Sequence, residues 1–510
     1  MKKSTRKGKP DSAFAEAGLS AAVAAVVEEC ADLYLADEIP WVVGYSGGKD
    51  STAVLQLVWQ SLASIPEERR RKPVYVISTD TLVENPIVAA WVSRSLDTMA
   101  IAADEQGLPL TSHRLTPDVE NTFWVNLIGR GYPAPRPKFR WCTERLKIRP
   151  STQFITSMVQ RHGEAILVLG TRKVESAARA RVMEKHAKAR ARDRLSPNGS
   201  LANSYVYTPI ENWTNDDVWM FLMQVPNHWG YDNKDLLTMY QGASPDGECP
   251  LVVDASTPSC GDSRFGCWVC TLVEKDKSMQ AMIQNDQEKE WMLPLLELRN
   301  RLDPPKTPEG DRALRDFRRM NGTVQLFNDR PIPGPYTQDA RESWLRQVLE
   351  AQRHIRAKGP EPVRDIDLVT IEELEAIRRI WVVEKHETED TLPRIYEETT
   401  GDRYPGARLD DNPIIGSEEI DLLRQLCGDD RVHFELVREL LSTEKRHKSM
   451  LRRVGLFEAF EQAFARHAFE SEEAAIAHAR ERRDALTAAR ARVFGAEVRD
   501  ATAADAEVQR

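Results

Sequence analysis

Cysteine is scarce in this chain, seven among 510 residues, and that scarcity excludes a disulfide framework as the source of its stability. Long apolar runs are missing as well. No stretch reaches about 18 uninterrupted apolar residues, the length a helix needs to span a bilayer, so no membrane partner is expected. Excess positive charge is also absent. Seventy Lys and Arg stand against 79 Asp and Glu, a net of −9. The chain as a whole is therefore no polycation, and any nucleic-acid contact falls to local patches. The opening MKKSTRKGKP is basic, but Glu16, Glu28 and Glu29 bracket the Ala/Val stretch that follows, which breaks the pattern of a secretory leader. A cytoplasmic protein is expected.

What is present describes a folded, water-facing chain, with 41% hydrophobic and 29% charged residues. At 57.9 kDa it is too long for one ordinary core, so two or three domains are expected. Apolar runs bounded by turn residues predict strands at 41–45, 74–78, 110–115, 165–169 and 205–207. Helical periodicity predicts helices at 12–37, 51–62 and 86–104. Strands alternating with helices imply an α/β class with a parallel sheet. Residues 241–272 are rich in Gly, Pro, Ser and Cys with little periodicity, a texture that a metal can order where a hydrophobic core cannot. Pro-rich segments at 301–311 and 329–337 read as linker. Charged amphipathic helices follow, and the Ala/Arg/Glu-rich end after 485 is expected to fray. The expected division is a basic arm and helix (1–37), a nucleotide-binding domain (38–240), a Cys-rich segment (241–300), a linker (301–340) and a helical C-terminal region (341–510). No internal repeat is present.

The most informative segment is Ser46-Gly47-Gly48-Lys49-Asp50-Ser51, between a buried strand and an amphipathic helix. A helix N-terminus presents unpaired N–H groups and partial positive charge, which attract phosphate. Glycines let the backbone approach the phosphate oxygens. Lys49 adds a charge, Ser46 and Ser51 add hydroxyls, and Asp50 can hold Mg²⁺ against a pyrophosphate. A Walker A loop is excluded, because Lys49 is followed by Asp50 and the loop is too short.

This SGGKDS loop resembles the PP-loop of the ATP pyrophosphatase superfamily, whose fold is of the adenine nucleotide alpha hydrolase-like type. Those enzymes split ATP between its α and β phosphates. Three further segments resemble the same superfamily. Asp80-Thr81, with Glu84 nearby, ends the second strand, where ligands of parallel sheets bind. Gly170-Thr171-Arg172 with Glu175, Ser176 and Arg179 resembles the G-x-R-x-x-E-S-x-x-R segment of phosphoadenylylsulfate reductases. Pro209-Ile210, Trp213-Thr214 and Asp217-Val218-Trp219 resemble that branch's P-I-x-x-W-T-x-x-D-V-W and read as mainly structural, Thr214 capping a helix. The resemblance implies catalytic roles for Lys49, Asp50, Asp80, Arg172 and Glu175. It implies ATP and Mg²⁺ binding by Ser46, Gly47, Gly48, Lys49, Asp50, Ser51, Thr171 and Arg179.

The cysteines carry a second pattern. Cys267-Trp268-Val269-Cys270 is a C-x-x-C, preceded by Cys260 and Cys249, and Cys142 sits in FRWCTERLKIRP among Arg140, Arg145, Lys147 and Arg149. Converging thiolates suit zinc or an iron–sulfur cluster, and spacing alone does not decide. GECPLVVDASTPSCGDSRFGCWVCT, together with the loop and the RWC segment, resembles the DndC family of DNA phosphorothioation sulfurtransferases over roughly residues 30–300. The resemblance implies a 4Fe-4S cluster, carried onto Cys142, Cys260, Cys267 and Cys270, with Cys249 as the substitute ligand and zinc as the alternative metal. A cysteine left over could carry a persulfide.

Between Arg172 and Arg194 lie nine basic and three acidic residues, a local +6 that could receive a DNA backbone. No base-reading motif is present. The resemblance implies an ATP-dependent sulfurtransferase that adenylates a non-bridging phosphate oxygen of DNA and replaces it with sulfur. Its partners would be DNA, a cysteine desulfurase and the other proteins of a phosphorothioation complex, among them a structural-maintenance-type ATPase. Phosphoadenylylsulfate or adenylylsulfate reduction, tRNA thiolation, or a non-catalytic nucleotide-binding scaffold are the alternatives.

Overall fold

The computed structural model describes residues 12–188, 194–244, 265–305, 307–327, 330–406, 416–448, 450, 452–469 and 471–507. The chain divides into two compact units whose segments interleave. One gathers the chain up to Phe123 with Pro135–Leu302 and Ala351–Leu368. The other gathers Trp124–Ala134, Asp303–Glu350 and everything from Val369 on.

The first unit is built on a six-stranded sheet. In chain order its elements are α1 (Gly18–Leu35), β1 (Trp41–Gly44), α2 (Lys49–Ser64), β2 (Val74–Thr79), α3 (Pro86–Glu105), β3 (Leu110–Leu115), α4 (Arg149–His162), β4 (Ala165–Val168), α5 (Ala177–Lys188), β5 (Ser196–Pro197), β6 (Ser204–Tyr207), α6 (Asn215–Gln224), α7 (Asn233–Gly242), α8 (Lys277–Asn285) and α9 (Leu293–Leu302). The strand order is β3-β2-β1-β4-β6-β5, parallel except for the two-residue β5, which runs antiparallel to β6. The expected class, an α/β fold with a parallel sheet, is the observed one, and the strand positions agree to within about a residue. The first helix is shorter than expected: residues 13–17 form turns, and α1 begins at Gly18.

Alternation along β1 explains the layering. Trp41 and Val43 face one side of the sheet, where they join Val54, Leu57 and Trp59 of α2 and Met99 of α3. Val42 faces the other side, with Ile155 and Met158 of α4. Nearly every residue of α2 between Ser51 and Leu62 is buried. Fully burying each Leu or Val contributes about 1.5–3 kcal/mol, so the helix that carries the loop's chemistry is held rigidly.

The strand order places the site. The chain leaves β1 toward β2 and β3 on one flank, and β4 then pairs with β1 on the other. The connections after β1 and β4 diverge at this switch point, beyond the carboxyl ends of the strands, where open α/β sheets bind ligands.

The second unit is helical apart from the hairpin β7 (Leu326–Phe327) and β8 (Arg330–Pro331), which lies within the expected linker. Its helices include the first turns of α10 (Gln338–Lys358); after α11 (Glu361–Arg364) come α12 (Ile371–Arg379), α13 (Thr391–Thr400), α14 (Ser417–Cys427), α15 (Arg431–Lys448), α16 (Leu456–Arg466) and α17 (Glu472–Glu507). The end expected to fray is helical to Glu507, in keeping with the high helix propensity of Ala, Arg and Glu. The π-helical turn Val125–Gly129 belongs to this unit because Gly129 lets α12 approach: a Cβ there would lie 3.1 Å from Ile380 Cδ1. Trp381 Nε1 fixes the contact by donating to the Ile128 carbonyl at 2.9 Å. None of the described helices is long and apolar enough to cross a membrane.

Candidate functional site

Helix α2 starts differently from four other helices of the unit. Asn85, Thr214, Asp232 and Asp276 cap α3, α6, α7 and α8 with side-chain oxygens, whereas the N-cap of α2 is Gly48 and no side chain caps it. Its first N–H groups are therefore offered outward, apart from a long 3.4 Å bond from Lys49 N to the Tyr240 hydroxyl. Gly47 has φ +72°, and a Cβ on it would press on Val92 Cγ2, so glycine is required there. Ser51 ties the loop together: Ser46 N donates to its Oγ at 3.1 Å, and that Oγ donates to the Gly48 carbonyl at 3.0 Å.

The connection after β4 closes on the same helix. A Cβ on Gly170 would lie 2.8 Å from the Asp50 carbonyl oxygen and 3.1 Å from Ser51 N. Next to it, the buried Arg172 brings Nε to 2.8 Å from Asp50 Oδ1 and donates from Nη1 to the Trp213 carbonyl at 3.3 Å. The Asp50–Arg172 contact is not aligned as a hydrogen bond, and Asp50 Oδ1 is a buried oxygen with no donor. Its other oxygen meets Lys49 Nζ at 3.0 Å. A carboxylate with an orphaned oxygen, beside an uncapped helix start, fits a Mg²⁺–polyphosphate group. Ser46, Gly47, Gly48, Lys49 and Asp50 would cradle it.

These residues line one cavity of about 950 Å³, together with Ser51, Asp80, Glu84, Thr171, Arg172, Glu175 and Arg179. All the sequence-derived nucleotide residues therefore converge. Their states differ from simple expectation. Glu175 accepts from Arg172 N at 3.0 Å and is ion-paired with Arg179, so it braces the loop. Asp80 is held by Arg114 and accepts from Leu82 N at 2.8 Å. Trp213 and Trp219 are buried and Thr214 caps α6 in a capping box with Asp217, the structural role expected of that segment. Tyr240 is the residue the sequence reading missed. Its hydroxyl faces Gly48 and Lys49, burial pushes its phenol further up from the usual tyrosine range, and nothing in the sequence around it signals this.

Cys270 stands within electrostatic reach of both Cys142 and Cys267. Cys267 Sγ lies 3.4 Å from Thr81 Oγ1 and 3.7 Å from Glu84 Oε1, and Glu84 is ion-paired with Lys147 at 3.2 Å. Lys147 and Cys142 share the turn that opens α4, the π-helical segment Thr143–Ile148 with Cys142 at its head. Burial pushes the Cys267 thiol up to about 12, with Glu84 adding to the rise and Lys147 opposing it. Burial likewise raises Cys142, with a contribution from the nearby Cys270. Half-buried thiols within electrostatic reach of Cys270 and beside a lysine cation suit a bound metal or cluster, which would take them as thiolates. Cys249 and Cys260 lie outside the described residues. Among the described residues no group of three or more His, Cys, Asp or Glu is placed to hold a metal ion, so Cys142, Cys267 and Cys270 do not by themselves make a site. A cluster on these cysteines would have to draw on Cys249 or Cys260 as well.

The basic stretch is less available than its count suggests. Arg172, Lys173, Arg179 and Arg194 are paired with Asp50, Glu211, Glu175 and Glu29. Arg181, Lys185 and Lys188 are exposed on or at the end of α5, and Arg190 and Arg192 fall outside the described residues.

Residues 40–272 match the family model of the phosphoadenosine phosphosulfate reductase domain. The match begins one residue before β1 and ends two residues after Cys270, so it takes in both the loop and the described C-x-x-C. An uncharacterized protein of Methanocaldococcus jannaschii is 25% identical over 185 residues, covering 36% of this chain and 32% of that protein. The chain thus matches about a third of that relative's length. Among solved structures, the chain is similar to phosphoadenylyl-sulfate reductase from Candida auris in its phosphate complex, with a TM-score of 0.26 and 13% identity over 41% of this chain and 86% of that one. It is similar also to the U34-tRNA thiolase NcsA from Methanococcus maripaludis with its 4Fe-4S cluster, with a TM-score of 0.26 and 14% identity over 55% of this chain and 79% of that one. Structural likeness at these scores carries no functional argument. The family match thus covers the part of the chain that carries the sheet, the loop and the described C-x-x-C.

Proposed function

We propose that this chain is an ATP-dependent sulfurtransferase that places sulfur on the DNA backbone. The observation that carries the reading is the shared border of the two sites: Glu84 and Lys147 line the nucleotide cavity and also stand against Cys267.

A non-bridging phosphate oxygen of DNA is a poor leaving group. Attack of that oxygen on the α-phosphorus of ATP would expel pyrophosphate and leave AMP on the backbone. The start of α2, Lys49 and Arg172 would stabilise the charge that develops on the phosphates, since preorganised donors in a closed site act most strongly there. Asp50, with Mg²⁺, would hold the leaving pyrophosphate. A sulfide-level nucleophile would then attack the DNA phosphorus and displace AMP, which departs with the original oxygen. A cluster on Cys142, Cys267, Cys270 and a fourth cysteine would supply a place to hold that sulfur. Lys147 would draw an anionic sulfur species toward the cavity, and Glu84 positions Lys147. A cysteine desulfurase as donor, DNA along α5 and an ATPase-containing complex complete the proposal. Mass spectrometry of nuclease-digested DNA, from cells with and without the gene, tests it: the reading expects phosphorothioate dinucleotides only with the gene.

The match to the reductase domain favours a second reading, reduction of an adenylylated sulfate. Incubating the protein with phosphoadenylylsulfate and a dithiol would release sulfite under that reading and not under the first.

A further inference from the structure

A second cavity, of about 230 Å³, lies wholly within the second unit. That is ample for more than one water, which needs about 10–15 Å³. Its wall carries eight Arg and Lys side chains and five carboxylates, and with Glu389, which pairs with Arg438 from just outside the wall, two positive charges remain in excess. The carboxylates are already committed. Glu387 is paired with Arg341, Asp316 and Glu435 with Arg318 and Arg431, Glu439 with Arg466, and Glu384 with Arg130. His386 adds no charge, because burial holds its imidazole down to about 4.

The excess falls on Lys385 and Arg319, and Arg438, though compensated by Glu389, adds an unfilled donor. Among the described residues no hydrogen-bond or ion-pair partner stands at the Lys385 ammonium. Glu387, Asp316 and Glu384 reach it only through space, and Arg341 opposes them. Arg319 donates to the Pro333 carbonyl at 3.1 Å, without a carboxylate. Arg438, 6% exposed in its side chain, bonds Gln338 and Glu389 through Nη1, and its buried Nε has no partner. A purely structural ion network closes at neutrality, because a buried uncompensated cation is costly unless an anion completes it. The unfilled donors are a compact ammonium and two guanidinium groups, the combination that suits a tetrahedral oxyanion.

We propose that this cavity is a binding site for a small phosphate, either the free ion or the phosphate group of a low-molecular-weight monoester, held by Lys385, Arg319 and Arg438. The volume admits such a group and excludes a nucleic-acid duplex. The site depends only on residues of the second unit, so it stands or falls separately from the proposed sulfurtransferase activity.

Trace acetylation of the full-length protein with acetic anhydride, read peptide by peptide by mass spectrometry, tests it locally. Burial and Arg341 depress the Lys385 ammonium to about 8, so it reacts at mildly alkaline pH. Inorganic phosphate at about ten times its Kd should slow labelling of Lys385 about tenfold, and glycerol phosphate should do the same. The Lys49 peptide reports the loop site independently in the same digest. Unchanged labelling at Lys385 with both ligands overturns the proposal, and so does protection by a short DNA duplex alone. Lys385→Met supplies a second readout. In phosphate-free buffer it should melt at or above the parent temperature, since it removes an uncompensated charge. A lower melting temperature would make Lys385 a member of a closed structural network and overturn the site.

Discussion

Lys147 Nζ lies 3.2 Å from Glu84 Oε1, and the same carboxylate oxygen lies 3.7 Å from Cys267 Sγ. Two residues 63 positions apart thus meet at the edge where the nucleotide cavity reaches a cysteine. Burial lowers the Lys147 ammonium, but Cys267 and Glu84 more than offset that, so it stays a fixed cation. Under the proposed function Lys147→Met should reduce sulfur incorporation into DNA about 10–100-fold, the usual scale for a group that supports a metal-site ligand. ATP-dependent release of pyrophosphate and bound iron should persist. Cys267→Ser should instead lose the iron. Metal analysis of anaerobically purified variants, run beside DNA mass spectrometry, checks both.

Gly170→Ala places a methyl group 2.8 Å from the Asp50 carbonyl and 3.1 Å from Ser51 N, at the backbone of the helix start. Overpacking of this kind costs about 1–3 kcal/mol. Because the displaced atoms belong to the uncapped first turn of α2, under the proposed function nucleotide affinity should fall more than folding stability. Calorimetric titration with a non-hydrolysable ATP analogue, against a thermal melt of the same variant, separates the two.

Asp50→Asn keeps the shape of the side chain and removes its charge. Binding of the analogue without Mg²⁺ should be unchanged or stronger, and turnover should drop about 10²–10³-fold, as for loss of one preorganised electrostatic group. Arg172→Met removes a buried cation that joins Asp50 to the Trp213 carbonyl, so it should lower the melting temperature as well as the rate. A rate loss in Asp50→Asn matched by an equal loss of stability would count against a chemical role.

Acid should act first on the second unit. At Glu439, burial raises the carboxyl, but hydrogen bonds from His467 and Arg466 outweigh it and hold the group near 2. At Glu435, burial again raises it, and Arg431 and Arg318 bring it to about 2. A folded value below the ordinary 4.5 means stabilisation that is complete above pH 4.5 and lost as pH falls toward 2. His386 acts in the same direction. Burial holds it near 4, so between pH 6.5 and 4 the unfolded chain takes up a proton that the folded one refuses. The melting temperature should therefore decline gently below pH 6.5 and steeply below pH 4.5. In Glu439→Gln it should start lower at pH 7 and decline less. Circular-dichroism melts across this range check the slopes, and identical slopes in parent and variant would contradict the assignment.

The geometry of the loop was largely legible in the sequence because it is local: a strand, two glycines, a lysine and a helix start lie within a dozen residues. The alternation of Trp41, Val42 and Val43 likewise reports two buried faces directly. What escaped the sequence is what the fold assembles from distant segments. Tyr240 reaches the loop only because α7 packs back against α2, and Glu84 meets Lys147 only because β2 and the turn opening α4 share an edge. The placement of Val125–Gly129 in the second unit was hidden for the same reason. Its only local mark is Gly129, and the partner it admits, Ile380, lies some 250 residues away. In the second unit, charge-rich helices gave no sign of the buried ion network, because a surface arginine and a buried one look alike until α15 and α16 close over them.

The central claim is that ATP is cut at its inner anhydride by the loop around Lys49 and Asp50. Purified protein incubated with DNA and ATP labelled at the α-phosphate decides it by chromatography of the products. Label appearing in AMP, with pyrophosphate released in equal amount and both lost in Asp50→Asn, is the predicted result. Label appearing in ADP, or AMP formed equally well by Asp50→Asn, would contradict the account.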